Sequence, residues 1–153
     1  MSSYALYTLR DLRVAEERQA EQTLGEAAVI VRRAEIETER LAARTVEARA
    51  AEAAARATTS APATVVHAQT ERRFSERLRL ATRASVEALE RHRAQVVTPA
   101  VRAEAAARAA HLRARQRREV VEKAIARREA LRRREQERRE EAAADDLGQR
   151  RKS

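Results

Sequence analysis

The sequence predicts an all-α fold: an elongated antiparallel two-helix coiled-coil hairpin whose second helix is the longer. Three observations predict it. Ala, Arg and Glu, all strong helix formers, supply 36, 31 and 21 of the 153 residues. Gly and Pro occur only twice each, so few positions interrupt a helix. Apolar residues recur at 3-4 spacing, the signature of one helix face meeting another. With three aromatics (Tyr4, Tyr7, Phe74) and alanine as the main apolar residue, the chain lacks the bulky side chains of a globular core. A deep ligand cavity or buried active site is not expected.

The elements follow in order, within a single domain over 1–153. Helix 1 is expected over about 3–57. Its stripe is Leu6, Leu9, Ala20, Leu24, Ala27, Val31, Ala34, Leu41 and Ala48, interrupted by Arg13 and Glu16. A turn is expected at 58–64, where hydroxyl residues surround Pro62 and no charge lies between Arg56 and Glu71. Pro62 lacks an N–H and drives Ala61 from helical angles. Helix 2 is expected over about 65–146, with Thr64 or Thr70 as its N-cap. Its stripe reads Phe74, Leu78, Ala81, Ala88, His92, Val96, Ala103, Ala107, Ala110, Ala114, Val121 and Leu131. Thr98-Pro99 reads as N-cap and N1, either a kink or a break. Gly148 is placed just past the helix end, and 147–153 is read as a loose tail. A symmetrical fold-back near residue 61 sets position 6 against about 116. The end of helix 2 then overhangs as a single charged helix.

Opposite charges at i,i+4 support exposed helix faces: Glu52/Arg56, Glu87/Arg91, Glu104/Arg108, Glu119/Lys123, Glu129/Arg133 and Glu135/Arg139. The seam is thin, because alanine buries little area.

Composition excludes several function classes. There is no cysteine, hence no disulfide or thiol chemistry. The longest apolar run, Ala27 to Val31, is far short of the ~20 residues of a membrane span. The first residues lack the pattern of a secretory signal. His67, His92 and His111 are scattered, with no metal-ligand spacing. A two-helix rod offers no enclosure to tune a general acid. The chain is therefore read as a non-enzyme with no cofactor, no metal and no small-molecule substrate.

The net charge of +9 lies mainly after residue 100. Arg113, Arg115, Arg117 and Arg118 form one basic cluster. Arg127, Arg128, Arg132, Arg133, Arg134, Arg138 and Arg139 form another. Glu119, Glu122, Glu129, Glu135, Glu137, Glu140 and Glu141 are interleaved along this region, and no aromatic is at hand to stack a base. A protein partner is favoured over a specific nucleic acid. A basic nucleic-acid-binding coiled coil and a scaffolding coiled coil remain the alternatives.

The segment Ala5-Leu6-Tyr7-Thr8-Leu9-Arg10-Asp11-Leu12, followed by Leu24-Gly25-Glu26, resembles the start of the FliJ family. Those are small coiled-coil proteins of the flagellar type III export apparatus. The break at Thr58–Thr64, the Phe74 and Leu78 that follow it, and the ending Asp145-Asp146-Leu147-Gly148-Gln149-Arg150 fit the same family. In outline the chain is also similar to YscO (SctO), the injectisome counterpart.

The resemblance implies a non-enzymatic stalk, cytoplasmic and peripheral to the membrane, at the base of a secretion apparatus. It would insert into a hexameric type III export ATPase and link it to the export-gate membrane protein; export chaperones are further implied partners. By position, Leu9, Arg10, Leu12, Arg128, Arg132, Arg133, Arg134, Arg138 and Arg139 would meet the ATPase. Val65, Val66, His67 and Phe74, near the turn, would meet the export gate.

Overall fold

The computed structural model describes residues 3–58 and 64–150, with side-chain surroundings for 4–58 and 64–144. The fold is all-α. Helix α1 is Ser3–Thr58 and α2 is Val65–His92. A π-helical turn, Arg93–Val97, joins α2 to α3, Thr98–Arg150. No strand occurs among the described residues. The expected turn residues 59–63, Pro62 included, and the last three residues of the expected tail lie outside the described residues.

The chain divides into two compact units. One comprises Met1–Thr23 with Arg108–Ser153, the other Leu24–Ala107.

In the 24–107 unit, α1 covers Leu24, Ala27, Val31, Ala34, Thr38, Leu41, Thr45, Ala48, Glu52 and Ala55 at unbroken 3-4 spacing. Opposite them α2 covers Ala68, Glu71, Ser75, Leu78, Thr82, Ser85, Leu89 and His92. The two segments run in opposite directions. Thr82 Oγ1 donates to Ala48 O (3.3 Å), and His92 Nε2 lies 3.1 Å from Ala34 O. Arg79 Nε is 3.9 Å from a Glu52 carboxylate oxygen. Thr64 caps α2, as one of the two expected candidates. Its backbone is extended (φ −144, ψ 159) and its hydroxyl accepts from His67 N. Thr70 instead lies inside the helix and donates to Val66 O at 2.9 Å.

The step from His92 to the next covered residue, Val97, is five residues rather than four. From Val97 the spacing resumes with Ala100, Glu104 and Ala107. The π turn absorbs this one extra residue, since an i→i+5 bond widens a single turn. Thr98 N–H bonds Arg93 O across that interval. The expected N-cap role of Thr98 is therefore corrected. Its backbone is helical (φ −60, ψ −46), and its hydroxyl donates back to Arg93 O at 3.0 Å. Pro99 neither starts a new helix nor breaks the old one; the missing N–H falls just after a turn whose bonding is already displaced.

In the other unit, α1 covers Leu6, Arg10, Arg13, Glu17 and Ala20. Against them lie His111, Ala114, Arg118, Val121, Ile125 and Arg128 of α3. Tyr7 OH donates to Glu129 Oε1 (2.6 Å), and Arg118 pairs with Glu17. Leu6 lies with Ile125, Arg128 and Glu129 around one small groove. The register thus differs from the expected facing of position 6 with about 116. The fold-back is asymmetric: Glu52 pairs with Arg79, so more residues of α2 than of α1 separate this pair from the loop.

All nine stripe residues read for helix 1 are covered. The helix 2 stripe needs correction. Leu78, Ala88, His92, Ala107, Ala114 and Val121 are covered, whereas Phe74, Ala81, Val96, Ala103, Ala110 and Leu131 are exposed. Polar residues hold much of the actual seam, which an apolar template cannot find. The helix end is corrected too: α3 runs through Gly148 to Arg150, since one glycine costs only about 1 kcal/mol in a helix. The seam is thin throughout. Its most buried members, Val31, Ala34, Thr45, Ala100, Ala107, Ala114 and Val121, retain 4–8% exposure.

Candidate functional site

The sequence-derived candidates fall into two groups, one in each unit. In the unit holding the N-terminal segment, Leu9, Arg10 and Arg128 are half-buried and Leu12 is exposed. Arg10 donates to Asp11 Oδ1 through Nε (3.0 Å) and Nη2 (2.7 Å). Its guanidinium carbon sits 5.4 Å from the centre of the Tyr7 ring, in cation–π range. Tyr7 is held above the ordinary phenol range, first by its hydrogen bond to Glu129, then by desolvation and the charge of that carboxylate. Asp11 likewise holds Arg10 above its usual value, chiefly through their hydrogen bond.

Arg118 was not among the candidates, yet it ties this unit together. It pairs with Glu17 across the seam and donates to Glu122 Oε1 at 2.8 Å along α3. The Glu122 hydrogen bond is the first cause of its raised pKa, opposed in part by desolvation. The signal available in sequence was an arginine at a seam position facing a glutamate at another.

Beyond Ile125 and Arg128 the covering ends. Every described side chain from 131 to 144 is exposed. Arg132, Arg133, Arg134, Arg138 and Arg139 make no hydrogen bond or ion pair with any described residue. The expected pairs Glu129/Arg133 and Glu135/Arg139 do not form: Glu129 accepts from Tyr7 instead. Similarly, Glu119 pairs backwards with Arg115 (3.0 Å) rather than with Lys123. Arg91 reaches Glu87 through its backbone oxygen (3.3 Å), not its carboxylate. Arg56 pairs with Glu52 as expected.

In the other unit, Val65 and Val66 are 75% and 73% exposed and Phe74 is 56% exposed. They do not form one patch, because their positions spread around α2. His67 is taken up locally, with Nε2 3.2 Å from Glu71 Oε1 one turn on. Nearby lies an open groove of about 540 Å³ bordered by Arg56, Glu71, Arg72, Glu76 and Arg79. Its alternating charges and openness give no enclosure for a reacting group.

Among the described residues, no three His, Cys, Asp or Glu side chains gather to hold a metal ion. No described helix is long and apolar enough to cross a membrane. What the surfaces offer chemically is charge on a helix with unpaired guanidinium groups. Compared with protein-family models, curated proteins and solved structures, the chain matches none.

Proposed function

We propose that this chain is a FliJ-like stalk of a type III protein export apparatus. In this reading the chain is one antiparallel coiled-coil hairpin with the longer second arm, non-enzymatic, working in the cytoplasm at the base of the apparatus. It inserts into a hexameric export ATPase, links it to the export-gate protein, and receives export chaperones. The single observation carrying the reading is the uncovered stretch 131–144, in which Arg133, Arg134, Arg138 and Arg139 make no hydrogen bond or ion pair with any described residue. Guanidinium groups left unpaired on a helix end suit the carboxylates of a protein partner. The family-like residues Leu9, Arg10 and Leu12 lie in the same unit.

Arg132, Arg133, Arg134, Arg138 and Arg139 point around the helix, with Glu135, Glu137, Glu140 and Glu141 between them. A pore whose faces belong to different subunits can meet such a mixed surface. A phosphate track would gather its arginines on one side.

The test is ATP turnover by the export ATPase with and without this protein. The intact chain should alter turnover, and a chain ending at residue 131 should not, while remaining helical. Reversing Arg132, Arg133 and Arg134 to Glu should weaken the ATPase complex. If the wild type instead binds DNA or RNA tightly at ~0.15 M salt, and only that binding is lost in the triple reversal, the stalk reading fails.

A further inference from the structure

Helix α1 carries a second 3-4 stripe besides its seam: Gly25, Val29, Arg32, Ile36, Glu39, Ala43 and Val46. These positions span about 100° of the helix on the side away from α2. All seven are exposed, with Val29, Ile36 and Val46 at 51%, 45% and 65%. The corresponding outer positions of α2 are Arg73, Glu76, Leu80, Arg83, Glu87 and Arg91, all charged except Leu80, which is 62% exposed. The outer face of α1 is therefore richer in apolar residues than that of α2.

Two features of this stripe have no explanation within one chain. The first is Gly25. A methyl group there would meet no atom within 4 Å, so nothing inside the chain requires a glycine. Yet glycine costs an exposed helix about 1 kcal/mol relative to alanine. The second is the pair Arg32 and Glu39, which make no hydrogen bond or ion pair with any described residue. Two turns apart, they are beyond the i,i+4 reach of helix pairs.

The stripe is also self-complementary about its middle residue. Turned end for end around Ile36, it brings Arg32 beside Glu39 of the second copy, and Glu39 beside Arg32. Val29 comes beside Ala43 and Gly25 beside Val46. Large faces small at each step, and positive faces negative twice. A two-fold interface demands that one patch complement itself in this way.

We propose that the outer face of α1 pairs with the same face of a second copy, antiparallel and centred near Ile36. Gly25 lets the two helices approach where Val46 of the second copy packs. Arg32 and Glu39 set direction and register, as polar positions do in coiled coils. The small residues bury little area, so the dimer dissociates on dilution. This inference does not rest on the stalk reading, whose carrying observation lies in the other unit.

Sedimentation of the full chain over a range of concentrations tests it. The wild type should pass from 17.3 kDa to twice that mass as concentration rises. Arg32→Glu or Glu39→Arg alone sets like charges together at both ends of the patch and should raise the dissociation constant about tenfold. The double variant R32E/E39R restores opposite charges and should recover dimerisation. Gly25→Leu separates folding from pairing: it should raise the melting temperature at low concentration yet abolish the dimer. Because the chain has no native cysteine, Ile36→Cys should oxidise readily to a disulfide-linked dimer, while Arg73→Cys should not. A chain monomeric at every concentration overturns the proposal. So does a dimer that ignores both single reversals, or one that the double variant fails to restore.

Discussion

The π turn makes a sharp prediction about deletions. Between His92 and Val97 the seam takes five residues where the pattern calls for four. Removing one residue inside the turn should return α2 and α3 to a continuous 3-4 stripe. Removing one residue from regular α3 should ruin it. The comparison belongs in a Pro99→Ala background, because a proline inside a restored α-helix would clash with the carbonyl four residues back. There, deletion of Ala94 should leave the melting temperature unchanged or raised. Deletion of Ala103 rotates everything after it by about 100°, carrying Ala107, Ala114 and Val121 out of their covered positions. Two buried methyl groups at about 0.8 kcal/mol each and one valine at about 1.5 kcal/mol come to roughly 3 kcal/mol. For a chain of this size that corresponds to a fall of roughly 6–12 °C. Far-ultraviolet circular dichroism during heating measures both. Equal losses in the two deletions would refute the idea that the π turn holds a surplus residue.

Further outcomes follow from particular contacts. Spin labels at Leu9→Cys and Arg127→Cys should couple at coiled-coil distance within one chain, shown by dilution with unlabelled protein; coupling only between chains would exclude the hairpin. Thr64→Ala removes the α2 cap and should cost about 1 kcal/mol in chemical denaturation. Thr45→Val should stay within about 1 kcal/mol of wild type, since the buried hydroxyl merely donates to Leu41 O at 2.8 Å. Tyr7 is raised in the folded state by donation to Glu129, so the stability it contributes is complete below the unfolded phenol value of ~10 and is lost as pH rises through the folded one. Stability curves should show that alkaline loss in wild type and less of it in Tyr7→Phe.

Much of the candidate site was readable as positions but not as contacts. The arginines from 132 onward were singled out by composition, and their exposure agrees with the stretch 132–141, which carries no apolar residue. The i,i+4 pairs were less legible. A carboxylate such as Glu129 can accept from a helix neighbour or from Tyr7 of α1, and only the tertiary arrangement decides which is nearer.

By itself the sequence determined that the chain is helical, that α2 starts near Thr64 or Thr70, and that α1 turns Leu6, Leu24, Val31 and Leu41 inward. Those outcomes depend on local bonding and on bulky residues whose burial has one solution. The tertiary structure alone decided the register, the π turn and the seam of α2 and α3. In those helices alanine occurs on every face, so several stripes bury similar area and the apolar pattern is degenerate. The choice falls to Thr82, His92 and Arg118, whose partners Ala48, Ala34 and Glu17 lie far away in sequence and become neighbours only when the helices pack.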